Sequence, residues 1–223
     1  MDKTLFSQAL VKFFAGLILV GLLLFLPAGT FEYRQAWLLM GILFVPMFIA
    51  GLVMMKKSPE LLKKRLSAKE EQSEQKEVIA LSGLMFLAAF ITAGLSFRFG
   101  WLRLPFAVSI AGAVIFLVSY ALYAEVLREN AYLSRTIEVQ EGQKVVDTGL
   151  YGIVRHPMYA VTVFLFLSMP LVLGSLISFL IMLFYIPIIV KRIKNEEEVL
   201  KEGLPGYKEY MEKIKYRLVP FIW

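Results

Sequence analysis

MYAVTVFLFLSMPLVLGSLISFLIMLFYIPIIV, Met158–Val190, is a run of 33 residues without a charge. A spanning α-helix needs about 20 apolar residues, so the run is too long for one ordinary crossing. Pro170 and Gly174 interrupt it near its middle. The run therefore predicts a helical hairpin that turns near Pro170–Ser175, with two rather short arms.

Four more apolar stretches precede it: Leu10–Leu26, Trp37–Met55, Val78–Phe97 and Leu104–Ala124. Each is about one span long. The first shows no small-residue cleavage site and is read as a retained helix. The expected architecture is all-α: a multi-span transmembrane protein with about six crossings, the last two forming the hairpin. Composition agrees, with 58% hydrophobic and 19% charged residues over 223 positions and a mean hydropathy of +0.67. A soluble domain carries about a quarter charged residues.

The basic residues orient the chain. Of 24 Lys and Arg, only Arg34, Arg98 and Arg103 fall in one set of loops. The rest lie in the N-terminus, Lys56–Lys76, Arg128–Arg155 and the C-terminal tail. By the positive-inside bias, both termini and the two large loops are expected in the cytoplasm, of a bacterial inner membrane or the endoplasmic reticulum. The net charge of +6 reflects this bias, and anionic lipid headgroups reinforce it. The charge sits beside spans and no nucleic-acid motif accompanies it, so no nucleic-acid partner is expected. With no cysteine and one histidine, no metal site is expected either. No P-loop or GxGxxG run occurs, and no glycine pair has GxxxG spacing.

Chemistry-bearing residues gather after Glu125. Gln143-Lys-Val-Val-Asp-Thr-Gly-Leu-Tyr151 contains a turn signal at Asp147–Gly149. Arg155-His-Pro-Met-Tyr159 leads into the hairpin, with Pro157 suited to a first helical turn and exposed N–H groups there favouring an anion. Lys191–Leu200 continues the last span. On a helical projection Ile189, Ile193 and Leu200 share a stripe. Glu196 falls within it, Glu197 at its margin and Glu198 opposite. Arg192 stands one turn before Glu196, so the two side chains can meet. The tail, Leu204–Tyr210 and Tyr216–Trp223, is aromatic and basic; it suits interfacial anchoring and could cap a site. Lys56–Lys76, dense in Lys and Glu, reads as a solvated or interfacial helix without chemistry.

In order and spacing, these segments resemble the isoprenylcysteine carboxyl methyltransferase family and the related membrane phospholipid methyltransferases. The likeness runs from about Asn130 to Trp223. It implies one membrane domain over 1–223, with four spans in 1–124 and a methyltransferase-like cofactor-binding region in 125–223. It also implies S-adenosylmethionine as cofactor, in a cytoplasmic C-terminal site. Gln143, Lys144, Val145, Val146, Tyr151, His156, Pro157, Met158, Tyr159 and Glu196 would contact that cofactor. Arg192 would face the methyl acceptor. Leu150 departs from the family, where proline is common.

The chemistry of the residues fits a sulfonium donor with a zwitterionic tail and an adenine. Glu196 suits the ammonium, His156 and the adjacent helix start the carboxylate, and Tyr151, Tyr159 and Val145–Val146 the adenine. The favoured partner is a lipophilic acceptor bearing a carboxylate, already ionised at neutral pH and gripped by Arg192. An amine acceptor would need a base, for which Glu197 or His156 is the candidate. Membrane lipid is the other expected partner. Two rival readings exist: an NADPH-dependent membrane reductase of the sterol or steroid type, and a small transporter. Transporters place charges near the midplane, whereas the first four spans hold no Asp or Glu at their centres.

Overall fold

A computed structural model describes residues 3–66, 73–133 and 137–223. Their helices are α1 (Lys3–Ala28), α2 (Arg34–Lys57), α3 (Pro59–Leu66), α4 (Ser73–Phe99), α5 (Phe106–Glu129), α6 (Pro157–Leu173), α7 (Leu176–Met182), α8 (Tyr185–Gly203) and α9 (Tyr207–Lys213). Five segments are long and apolar enough to cross a bilayer: α1, α2, α4, α5 and the α7–α8 rod. The protein is thus an integral membrane protein of helical spans. α6 has 17 residues, roughly 25 Å of helix against a hydrocarbon core of about 30 Å. The six expected crossings become five full-length spans and one short arm.

The short arm fits because α6 is largely enclosed by protein. Tyr159, Val161, Leu165, Met169, Val172 and Leu173 are all buried. α5 packs along it most extensively, and α2, α4, α7 and α8 also touch it. A helix apolar on every side belongs in such a position.

The hairpin turns at Gly174. α6 runs through Pro170, whose carbonyl accepts the Ser175 N–H at 3.1 Å, and ends where Gly174 adopts φ 70°. That left-handed position favours glycine. Ser175 then caps α7 by accepting the Ser178 N–H. Uncharged bonds hold this turn against the loops on the same end of the bundle. Leu104 N–H donates to the Gly174 carbonyl at 2.9 Å and Leu176 N–H to that of Leu102 at 3.2 Å. Tyr33 donates its hydroxyl to the Leu173 carbonyl at 2.6 Å, and Ser175 pairs with Ser96. Further on, Pro187 has no N–H for the Leu183 carbonyl one turn earlier, and the rod breaks at Leu183–Phe184 between α7 and α8.

The opposite end carries the charged loops. Within Lys56–Lys76, α3 supplies the expected short helix with Glu60 in its first turn; residues 67–72 lie outside the described segments. Lys191 of α8 pairs with Glu77 of α4 at 2.6 Å, which links these two helices at this end.

α5 and α6 meet almost backbone to backbone. A Cβ on Gly112 would stand 2.9 Å from both the Leu171 Cβ and the Val172 nitrogen. Overpacking such a contact costs about 1–3 kcal/mol. Gly112→Val should therefore lower the unfolding midpoint in detergent. Gly83→Ala, at a position with nothing within 4 Å, should not. Equal midpoints for the two variants would show that α5 and α6 are less closely apposed.

Candidate functional site

The connection from α5 to α6 is shaped by its own polar groups. The Gln143 amide oxygen accepts the Gln140 N–H at 2.8 Å, closing one turn. The Asp147-Thr-Gly signal enters a short 3-10 turn over Gly149–Gly152. There the Glu129 carboxylate, at the end of α5, accepts the Leu150 N–H at 3.1 Å. This turn buries Tyr151 against Val126 and Val161. α9 braces the turn from outside: Tyr210 donates to the Tyr151 carbonyl at 2.8 Å, and Lys213 pairs with Asp147 at 2.7 Å.

Arg155 and His156 follow, both buried. Their backbone N–H groups donate to the carbonyls of Tyr216 and Arg217, each at 2.9 Å, so the tail lies alongside them. Arg155 reaches the Ile214 and Lys215 carbonyls with Nη1 and Glu197 Oε1 with Nε and Nη2, each at 2.8 Å. His156 Nε2 lies 3.2 Å from the same oxygen. A carboxylate only accepts, so Nε2 is the protonated nitrogen. Arg217 Nε donates to Glu197 Oε2 at 2.8 Å, and its guanidinium lies over the Trp223 ring. Glu197 is 1% exposed. Its carboxylate thus joins α8, the loop before α6 and the tail.

Glu196, one residue earlier, faces elsewhere. It lines a cleft of about 800 Å³, part of it open to solvent. Tyr159 donates its hydroxyl to Glu196 and accepts from Arg192 Nε at 2.9 Å. The phenol thus bridges a carboxylate and a guanidinium on one wall. His156 Nδ1 stands 3.9 Å from Glu196 Oε1. The cleft also has apolar walls, among them Leu133, Val145, Val146, Met158 and Leu200. Tyr207 lines it too, and its buried hydroxyl has no hydrogen-bond partner. Burial, then the charges of Glu197 and Glu196, push that phenol far above its ordinary pKa, so it stays neutral.

Most of the sequence-predicted residues converge here. Gln143, Lys144, Val145, Val146, Tyr151, His156, Met158, Tyr159, Arg192 and Glu196 all line the cleft. Pro157 does not; it sits at the first turn of α6. Glu197 does not either. The helical projection put it at the edge of the apolar stripe, yet the buried stripe of α8 is Tyr185, Ile189, Ile193 and Glu197. With both its oxygens committed to cations, Glu197 is a structural carboxylate and is not placed to act as a base. Sequence reasoning missed Arg155 as a buried anchor and Arg217 as its counterpart. It also missed the cleft-lining Asn130 and Tyr207. The spacing of Tyr207 and Tyr210 behind a Pro-Gly turn was the available signal for the last wall.

Residues 110–202 match the sequence model of the isoprenylcysteine carboxyl methyltransferase (ICMT) family, and this region is similar to that family. It begins inside α5 and ends within α8, so it contains Tyr151, His156, Tyr159, Arg192 and Glu196 and excludes α1–α4 and the tail. Over 91 residues the chain is 28% identical to the Delta(14)-sterol reductase TM7SF2 of Mus musculus, which covers 40% of this chain and 22% of that reductase. The chain thus spans about a fifth of the length of this curated relative. A solved structure of the eukaryotic intramembrane Ras methyltransferase ICMT aligns with 100% of this chain and 88% of its own, with a TM-score of 0.49 and 16% identity.

Removing one partner of a buried ion pair costs about 3–5 kcal/mol. Glu197→Ala should therefore destabilise the protein by about that much in detergent unfolding. Glu198→Ala, at an exposed position paired with Lys201, should stay within about 0.5 kcal/mol of the parent. A Glu197→Ala protein as stable as the parent would show that the carboxylate does not join the three segments.

Proposed function

We propose that this protein transfers a methyl group from S-adenosylmethionine to a lipophilic acceptor at the membrane surface, and that the acceptor atom is a carboxylate oxygen. The observation that carries the reading is the Tyr159 bridge. It holds Glu196, suited to a cation, beside Arg192, suited to an anion, on one wall of a cleft. The family match over residues 110–202 supports the same reaction class.

The residues present fit the cofactor. Glu196 offers a carboxylate for an ammonium, and the Tyr207 hydroxyl is a buried polar group in want of a partner. Val145, Val146 and Leu133 supply a flat-ring environment. His156 suits the cofactor's carboxylate less well than its sequence position suggested. Its Nε2 proton is committed to Glu197, and its backbone N–H to Arg217. Lys144, also on the cleft wall, is the better cation for that role. When bound, the cofactor supplies a methyl group on a positively charged sulfur, open to in-line attack by an anionic oxygen.

The protein's part is to bind and align. Arg192 orients the acceptor carboxylate, and Tyr159 fixes the guanidinium that does so. No base is required, which agrees with Glu197 being engaged elsewhere. Glu197 is a positioning residue: by anchoring α8 to Arg155 and Arg217 it sets the angle at which Glu196 enters the cleft. The basic loops at this end support a cytoplasmic position for the cleft.

The sterol reductase similarity favours the one serious rival, an NADPH-dependent reductase. NADPH carries several phosphate charges, and Glu196 in the wall works against them.

Titrating purified protein with S-adenosylhomocysteine and with NADPH separates the two. S-adenosylhomocysteine should bind, NADPH should not, and Glu196→Gln should weaken the former at least about tenfold, the loss of one charge-assisted hydrogen bond. NADPH binding in the absence of S-adenosylhomocysteine binding would overturn the proposal. Arg192→Ala should keep S-adenosylhomocysteine affinity and lose methyl transfer to a prenylated cysteine acceptor. Unchanged turnover would remove Arg192 from the acceptor site.

A further inference from the structure

A second cavity lies apart from the cleft, between α1, α2, α3 and α5, and encloses about 1360 Å³ including open space. Its body is apolar, built by side chains such as Phe13, Phe44, Met47 and Phe48. Along α1 the lining runs from Phe6 to Gly16, about 15 Å of helix, or half the thickness of a bilayer's hydrocarbon. The cavity is therefore one leaflet deep. It lies at the charged end of the bundle, beside the start of α1, the end of α2 and α3.

That end of the lining is cationic. Lys12 and Arg65 line it. The Lys12 ammonium donates to the Leu66 carbonyl at 2.5 Å, which ties α1 to the end of α3. The Arg65 guanidinium lies over the Tyr123 ring of α5, 5.4 Å from its centroid. Lys56 and Lys57 close α2 at the same end. An apolar slot one leaflet deep under a cationic rim is complementary to an amphiphile with a hydrocarbon chain and a negative headgroup. A zwitterionic lipid matches the slot but not the rim.

We propose that this cavity is a binding site for an anionic phospholipid, its acyl chain between α1, α2 and α5 and its phosphate at Lys12 and Arg65. Most of the walls belong to α1–α3, outside the family-matched region, so the proposal does not depend on the reaction assigned to the cleft. Bound there, the lipid would fill the gap between the first two spans and α5 and act as part of the fold.

The test is native mass spectrometry of the protein titrated with phosphatidylglycerol or phosphatidylcholine of identical chains. Phosphatidylglycerol should be retained at least about tenfold more tightly, given the attraction of each cation near the headgroup. The Lys12→Gln/Arg65→Gln double variant should bring the two lipids to parity. Equal retention by the parent protein, or a preference that survives in the double variant, would overturn the site. Should that variant not fold, a photoactivatable phosphatidylglycerol on the parent protein decides the matter. Crosslinks at Phe44 and Met47 support the site, and crosslinks confined to other surfaces overturn it. Release of phosphatidylglycerol by a prenylated cysteine would give the cavity to the acceptor instead. A lipid-free dimer would give it to a second copy of the chain. Either result rejects the proposal.

Discussion

A carboxylate with 1% exposure sits among two guanidiniums and an imidazole, and the functional end of this molecule is arranged around it. Withdrawing such charges from water is costly, and the cost is offset only when geometry and hydrogen bonding are complete. Here they are: Arg155 meets Glu197 with two nitrogens and spends its third on tail carbonyls. The arrangement constrains rotation as much as it stabilises. Successive residues on a helix point about 100° apart. Once Glu197 is turned inward to Arg155, Glu196 has to look toward the loop and Tyr159. One carboxylate is withdrawn from solvent so that its neighbour is aimed.

The two ends of the bundle are fixed by different forces. At the hairpin turn, backbone groups, hydroxyls and close contacts do the holding, with Tyr33, Ser96 and Ser175 as the polar pins. At the cleft end, ions and a loop held by its own hydrogen bonds do it. α6 connects the two, enclosed along most of its length and ending at its charged terminus in His156 and Pro157. A short central helix brings the residues at its start down toward the apolar layer. Under the proposed function, this would let a lipophilic acceptor and a polar cofactor meet without either leaving its own phase.

Much of this was readable in the sequence because the signals are local. Apolar runs and basic loops gave the spans. The Gly174 turn was visible as a break in a run too long for one helix. The cleft residues stood out as a cluster of unusual choices after Glu125, and their resemblance to a methyltransferase family assigned them a cofactor. The roles of Glu196 and Glu197 were not separable. A helical projection ranks faces by their apolar residues, and it cannot see that Arg155 and Arg217, 42 and 20 positions away, make a charged residue acceptable at the core. The short reach of α6 was legible as a short arm of the hairpin, but not its enclosure by α5, α2 and α8, which determines whether lipid has to be spanned.

The Glu197 assembly also has a temporal side. Its members come from the loop before α6, from α8, and from the tail that follows α9. During synthesis the first two precede the tail, Glu197 by only 20 positions before Arg217. Until then Arg155 and Glu197 have each other but lack the strand that closes over them. For that interval the nascent protein carries a half-formed pocket, and the arrival of Arg217 and Trp223 completes it.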